Sequence, residues 1–387
     1  MFRLSRFMEA LRDNPPVAPA RKPPGPVVIW NLIRRCNLNC RHCYSTSADV
    51  DFKGELSTAE ALAVLEQLHA ARVPALILSG GEPLLRSDLY AIAERAHALG
   101  FHLSLSSNGT LLTPEHATLL KQTGFDYVGV SLDGLQVTHD TFRRVPHAFA
   151  DALRGLRTAH AASLRVGVRM TLTEANAGEL PAVVALTEAE GIDRFYLSHF
   201  NYAGRGRSHQ RDHAQHLAIR RTLDWLFAHV WERAQRGAAG DFVTGNNDAD
   251  GVYLLRWIAA RFPGRVADMR ARLVNWGGNA SGVNVANIDN LGNVHPDTMW
   301  WQHTLGNVRQ RPFGEIWADR SDALMAGLNR CPRPLEGRCG ACTQRDICNG
   351  NTRSRAFAAT GNAWAEDPGC YLNDAEIGLT PTAAAAA

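Results

Sequence analysis

The chain has 387 residues, 45% of them apolar and 20% charged, the proportions of a soluble globular protein with one large domain and a smaller one, or two ordinary ones. A formal net charge of +3 is too slight to recruit nucleic acid or an anionic membrane, and no apolar run approaches the length of a membrane span. The opening MFRLSRFMEALRDNPP carries no secretory apolar core, so a cytoplasmic location is expected.

In chain order, residues 1–26 read as a short amphipathic helix followed by a Pro-rich linker, PPVAPARKPPGP. VVIWNL (27–32) is the first strand. STAEALAVLEQLHAA (57–71) follows as a helix, with Ser57 as cap and Glu60 three residues on. The pairing repeats: ALILSG (75–80) with SDLYAIAERAHALG (87–100), then FHLSLSSNG (101–109) with TPEHATLLKQTG (113–124). YVGVSLDG (127–134) precedes a helix near 148–162, RVGVRMTLT (165–173) one near 177–190, and RFYLSHF (194–200) completes six steps. Short apolar strands alternating with helices predict an α/β fold with a helix-covered parallel sheet. We expect a partial (β/α)6 TIM-type barrel over 27–235 with its site at the C-terminal rim of the strands. A connecting segment, 236–283, leads to a small cysteine-rich C-terminal domain over 284–377, in which Asn290–Leu291–Gly292–Asn293 marks a hairpin. The Ala-rich end, 378–387, is expected to be a disordered tail.

The eight cysteines fall into two groups. Cys36, Cys40 and Cys43 follow the first strand directly, and Cys331, Cys339, Cys342, Cys348 and Cys370 lie near the end. Clustering of this kind favours metal over scattered core thiols or a disulfide framework. Three thiolates on a four-iron cube leave one iron open to another ligand; a zinc knuckle borrowing His42, or three structural thiols, are the bland alternatives. Cys339-x2-Cys342-x5-Cys348 with Cys370 makes a full set of four, with Cys331 as a spare that could replace Cys370 as fourth ligand, and a four-cysteine zinc site as the alternative. Gly80, Gly81, Glu82 and Pro83 end the second strand. There glycines permit close backbone approach and Glu82 accepts hydrogen bonds from an ammonium, unless the stretch is merely a tight turn. Ser104, Ser106 and Asn108 alternate and face one side of the third strand. Ser131 and Asp133 end the fourth.

Cys36-x3-Cys40-x2-Cys43 with Tyr44, placed after a first strand, resembles the signature of the radical S-adenosylmethionine (SAM) superfamily. The resemblance implies a four-iron cluster on Cys36, Cys40 and Cys43 whose open iron binds SAM, and reductive cleavage of SAM to a 5′-deoxyadenosyl radical. It implies cosubstrate contacts from Tyr44, from Gly80, Gly81, Glu82 and Pro83 to the ammonium, from Ser106, Asn108 and Ser131 to the nucleoside, from Arg143 to the carboxylate, and from Met170, with Arg169 and Leu197, on the adenine side. The C-terminal cysteines resemble the SPASM or twitch auxiliary domain. Asp297 and Thr352 stand where the larger version has further cysteines, which implies one auxiliary four-iron cluster on Cys339, Cys342, Cys348 and Cys370. Across residues 20 to 377 the runs LILSGGEPLLR and LEGRCGACTQRDICNGNTRSRAFAATGNAWAEDPGCYL resemble the group acting in haem d1 biosynthesis. That resemblance implies 12,18-didecarboxysirohaem as a tetrapyrrole substrate losing two propionates for oxygen functions. It also implies an electron-donor protein such as a flavodoxin or ferredoxin. An iron-coproporphyrin decarboxylase, a peptide-modifying enzyme and a non-catalytic electron carrier remain as rivals.

Overall fold

The structure, a computed structural model, describes residues 1–19 and 23–379. The strand–helix alternation is realised as β1 (Val27–Ile33), α2 (Thr58–Ala70), β2 (Ala75–Gly80), α3 (Leu89–Ala98), β3 (His102–Ser107), α4 (Pro114–Gln122), β4 (Phe125–Ser131), α5 (Gln136–Arg143), α6 (Ala148–Ala161), β5 (Val166–Leu172), α7 (Leu180–Ala189) and β6 (Arg194–His199), preceded by α1 (Leu4–Asp13). Local chemistry starts these helices where the sequence indicates. At α2, Ser57 and Glu60 form a reciprocal capping box, and at α4, Thr113 caps a helix whose first residue is Pro114. Strands β1 to β6 pair in parallel, each with the next.

The sheet continues past six steps. After α8 (His216–Gln235), β7 (Asp241–Gly245) pairs in parallel with β6, and α9 (Ala249–Arg261) and α10 (Val266–Trp276) follow. The N-terminal segment is bound to this edge: Phe2 pairs with Thr244, and Ser5 Oγ accepts from the Phe242 N–H at 2.7 Å. At the other side β8 (Val285–Ile288) pairs in parallel with β1 and turns through Asn290–Asn293 into β9 (Asn293–His295), with β10 (Gly306–Asn307) outermost. The order is β10-β9-β8-β1-β2-β3-β4-β5-β6-β7, so the C-terminal cysteine-bearing segment shares its first strands with the barrel sheet.

Side-chain alternation divides each strand between two environments. Val28, Trp30, Leu76, Leu78, Leu103, Leu105, Val128, Val130, Val168, Met170, Phe195 and Leu197 are buried in the main apolar core. The opposite parity, which includes Asn31, Ser79, Ser104, Ser106, Tyr127, Ser131, Arg169, Thr171, Tyr196 and Ser198, lines the other face of the sheet, the polar lumen side.

Candidate functional site

The cysteine loop leaves β1 at Ile33 and folds back on itself, with the Cys36 N–H donating to the Ala48 carbonyl at 3.0 Å and the Cys43 N–H to the Cys40 carbonyl at 3.4 Å. Cys36, Cys40 and Cys43 share one small apolar nest with Leu38, Ala148 and Val145. Every sulfur meets a donor: Leu38 N–H on Cys36 Sγ (3.4 Å), Ser47 N–H on Cys43 Sγ (3.4 Å) and Arg143 Nη1 on Cys40 Sγ (3.4 Å). Burial pushes the Cys36 thiol up to about 12 and raises Cys40 as well. Thiols in such a place ionise only for a cationic partner. Three cysteines in one nest, two of them buried and each sulfur supplied with an N–H donor, fit an iron–sulfur cluster.

The neighbouring motif grips this loop. A Cβ on Gly80 would stand 2.3 Å from the Ile33 carbonyl oxygen, and one on Gly81 would stand 2.1 Å from that of Arg35. The Gly81 and Glu82 N–H groups donate to the Ile33 and Arg35 carbonyls at 2.7 and 2.9 Å. Both glycines therefore admit the root of the cysteine loop. Pro83 opens a buried 3-10 turn, Pro83–Leu85. Glu82 is fully buried and accepts from Ser107 Oγ (2.8 Å), Asn108 N–H (2.8 Å) and Leu84 N–H (3.2 Å). Of roughly four lone-pair sites on a carboxylate, three are filled by the protein.

Burial pushes the Glu82 carboxyl up from its ordinary value of 4.5 to about 7, against the pull of those donors. A group whose folded value lies above its unfolded one stabilises fully below the unfolded value, and that contribution is lost as pH rises through the folded one. Cluster-free wild-type protein should therefore lose about 3 kcal/mol more stability between pH 4.5 and 7 than Glu82→Gln does. Urea midpoints across that range check this, and parallel slopes would refute it.

Several residues expected at the cosubstrate are committed elsewhere. Asn108 Nδ2 donates to Asn37 Oδ1 (2.8 Å) and approaches Cys36 Sγ (3.9 Å), while its Oδ1 accepts from Thr110 N–H and Oγ (2.9 and 2.7 Å). It ties β3 to the cysteine loop instead of presenting a free amide to a ribose. Arg143 pairs through Nη2 with Asp133, which is fully buried and also takes the Thr171 N–H at 2.7 Å. With Nη1 on Cys40 Sγ, this guanidinium backs the cysteine rather than facing an open carboxylate site. Met170 is fully buried in the sheet–helix core; strand parity turns it away from the lumen and turns Arg169 inward. Ser106 Oγ accepts from Arg169 Nη1, and Ser131 is half-buried on the lumen face. Tyr44 OH accepts from Asn31 Nδ2 at 2.8 Å, and its ring meets Trp301 edge-on at 6.0 Å.

One holder of the loop has no counterpart among the expected contacts. Arg205, in the Gly204–Arg205–Gly206–Arg207 stretch after β6, donates from Nε to the Cys40 carbonyl and from Nη1 to the Ser47 carbonyl, both at 2.8 Å. Gly204 (φ +53°) permits this approach, since a Cβ there would lie 2.3 Å from the Tyr44 carbonyl oxygen. The signal was a glycine–arginine pair at the rim of the sixth strand. Its basic side chain serves the loop's carbonyls.

In the C-terminal segment Cys339, Cys342, Cys348 and Cys370 line one cavity with Ala249, Val252 and Leu372. Gln344 N–H donates to Cys342 Sγ (3.3 Å), Arg338 Nη1 to Cys370 Sγ (3.6 Å) and Arg353 Nη2 to Cys339 Sγ (3.9 Å). Burial raises Cys348 and pushes Cys370 up to about 11. Cys331 is exposed and does not line that cavity. Among the described residues, no three His, Cys, Asp or Glu side chains converge at the spacing of a single bound ion. Asp297 accepts from Ser281 Oγ (2.5 Å) and Met299 N–H (2.8 Å), and Thr352 spends its hydroxyl on the Asn246 carbonyl (2.8 Å). The buried Arg333 completes this region by donating to Asn279 Oδ1 (2.8 Å) and the Ser281 carbonyl (3.1 Å). Hydrogen-bonded protein thus fills the surroundings of both positions where further cysteines would stand.

Residues 30–186 match the family described as the Radical SAM superfamily. The chain is 53% identical, over 98% of its own length and 94% of the relative's, to a protein of Dinoroseobacter shibae described as pre-heme d1 synthase. It is 42% identical, over 91% of its length and 89% of the relative's, to the Fe-coproporphyrin III synthase of Methanosarcina barkeri. The fold is similar to that of Streptococcus suis SuiB, with a TM-score of 0.68 at 17% identity, covering 90% of this chain and 78% of that one.

Proposed function

The chain belongs to the radical SAM superfamily, and from that premise we propose that it is an oxidoreductase of haem d1 biosynthesis acting on 12,18-didecarboxysirohaem. The observation that carries this reading is the near full-length 53% identity to the pre-heme d1 synthase, against 42% to the coproporphyrin-related protein. Cys36, Cys40 and Cys43 would hold a four-iron cluster, which would supply the one-electron reduction needed for cleavage of SAM and hydrogen abstraction from a propionate. Cys339, Cys342, Cys348 and Cys370 would hold a second cluster, which would supply a one-electron acceptor for the substrate radical. The cavity common to those four cysteines, the exposure of Cys331 and the hydrogen-bonded surroundings of Asp297 and Thr352 support one auxiliary cluster over two.

The protein's own groups prepare this chemistry. Arg205 and the carbonyl pairing at Cys36 hold the loop in one conformation. Arg143 and the Leu38 and Ser47 N–H groups place positive charge against the sulfurs, which favours their anionic form. Gly81 and Glu82 lock β2 to the loop root, and the remaining lone pair of Glu82 suits an ammonium. The polar lumen beneath receives the nucleoside and the substrate edge. An acidic one-electron protein such as a flavodoxin or ferredoxin is the proposed reductant, and the cytoplasm the proposed location. Among the described residues no helix is long and apolar enough to cross a membrane.

The test gives reduced, anaerobic enzyme 12,18-didecarboxysirohaem, iron-coproporphyrin III and a precursor peptide in separate reactions, and follows product mass. Propionate loss from the first alone is expected; turnover of iron-coproporphyrin alone would overturn the substrate assignment.

A further inference from the structure

Two arginines reach into the polar interior, and they differ in one respect. Arg194, the first residue of β6, is neutralised by Asp241, with Nη2 at 2.9 Å from Oδ2. Arg169, farther along β5 and level with Ser131 of β4, has no carboxylate within ion-pair distance among the described residues. Its Nη1 donates to Ser106 Oγ and its guanidinium lies 5.3 Å over the ring of Tyr196. Nε and Nη2 make no protein hydrogen bond, yet they are not among the sealed, unpartnered nitrogens.

The seat for this charge is built by missing side chains. A Cβ on Gly129 would stand 2.9 Å from Arg169 Cδ, one on Gly167 2.1 Å from the Tyr127 hydroxyl, and one on Gly245 2.2 Å from that of Tyr196. Strands β4, β5 and β7 thus each give up a side chain where one guanidinium and two phenols pass. Asp248 and Asp297 act electrostatically on the same Tyr196. They accept from Asn279 and from Ser281 with Met299, and neither lies within ion-pair distance of Arg169.

The free Nε/Nη2 edge is the fork that binds a carboxylate with two parallel hydrogen bonds. Arg355 in this chain uses that same edge on Asp367, at 2.7 and 2.8 Å. Holding a cation half-buried without a counterion is costly unless a ligand supplies one. The geometry points to Arg169 as a carboxylate-receiving site in the lumen. This rests on the proposed function, which brings two carboxylates there: the substrate's propionate and the methionine carboxylate of SAM.

Reconstituted anaerobic holoenzyme separates the two sources. Binding of 12,18-didecarboxysirohaem and of its methyl ester is read from the tetrapyrrole absorption, and binding of SAM by equilibrium dialysis. Arg169→Gln should weaken one of the two acids about 10- to 100-fold, the loss of a charged bidentate contact, with Arg169→Lys recovering part of it. A loss confined to the tetrapyrrole acid, with the ester unchanged, assigns the site to the propionate; a loss confined to SAM assigns it to the cosubstrate. Affinities for both acids within twofold of wild type would overturn the site. Should the variant not fold, the unaltered enzyme decides the substrate arm: equal binding of acid and ester, together with SAM binding unaffected by Ser106→Ala, would also overturn it. Absence of 5′-deoxyadenosine from wild-type reactions would sink the reaction reading and leave these binding measurements intact.

Discussion

A chain with Cys36, Cys40 and Cys43 all replaced by alanine is expected to form no detectable 5′-deoxyadenosine from SAM and dithionite, and to hold about four irons where wild type holds about eight. The two cysteine sets are separate structures. The first hangs from the end of β1 and is fixed by Arg143, Arg205 and the β2 terminus; the second lines a cavity against α9. Removing the first therefore leaves the ligands and donors of the second in place. The complementary variant, with Cys339, Cys342, Cys348 and Cys370 replaced, should lose the other half of the iron while still cleaving SAM without substrate turnover. Chromatography of the nucleoside with iron, sulfide and zinc analysis of anaerobically purified protein reads both. Undiminished 5′-deoxyadenosine in the triple variant, or zinc in place of the second half of the iron, would contradict the assignment.

Replacing Arg355 with methionine should cost about 3–5 kcal/mol, the expense of stranding a buried charge. Arg355 and Asp367 are both fully buried and joined by two hydrogen bonds. Arg355 Nη1 also reaches the Phe200 and Asn246 carbonyls, at 3.0 and 2.9 Å, just past the ends of β6 and β7. The pair thus fastens the helix Arg353–Thr360 to the barrel rim. Arg355→Met alone leaves Asp367 ionised and uncompensated. Combined with Asp367→Asn, it should recover part of the loss, because the orphan charge is gone. Urea midpoints for the three variants, with loss of the cluster absorbance followed in parallel, check the order. Equal midpoints for Arg355→Met and wild type would show that the pair contributes nothing.

The barrel was legible because each of its first six strands is an apolar run bounded by glycine or polar residues, and the starts of α2 and α4 carry their own caps. The strand β7 was not. DFVTG is five residues between glycine-rich flanks, and its partners, β6 and the N-terminal Phe2, are chosen in three dimensions. Nor does any local signal say that VANI of β8 lies against VVIW of β1. The cysteine spacing was readable because short loops chelate locally. The roles of Glu82, Asn108 and Arg143 were not, because a polar side chain's partner is set by the fold: Asn108 meets Asn37 of the cysteine loop, and Arg143 meets Cys40. The core-facing side of Met170 is readable in the sequence. In VGVRMTL, Val166, Val168, Met170 and Leu172 form one face and Arg169 and Thr171 the other, so the charged residue marks the lumen side.

The attachment of β8 to β1 has a consequence for the protein's manufacture. Asn287 Nδ2 bonds the Ile29 carbonyl across 258 positions of chain. At about 5–20 residues per second on the ribosome, the flank of β1 that β8 will cover stands bare for roughly 13 to 50 s. An open strand flank is a template for pairing with other nascent chains. Fast elongation, or a chaperone occupying that flank, should raise the yield of soluble enzyme more than any change at the cysteine loop.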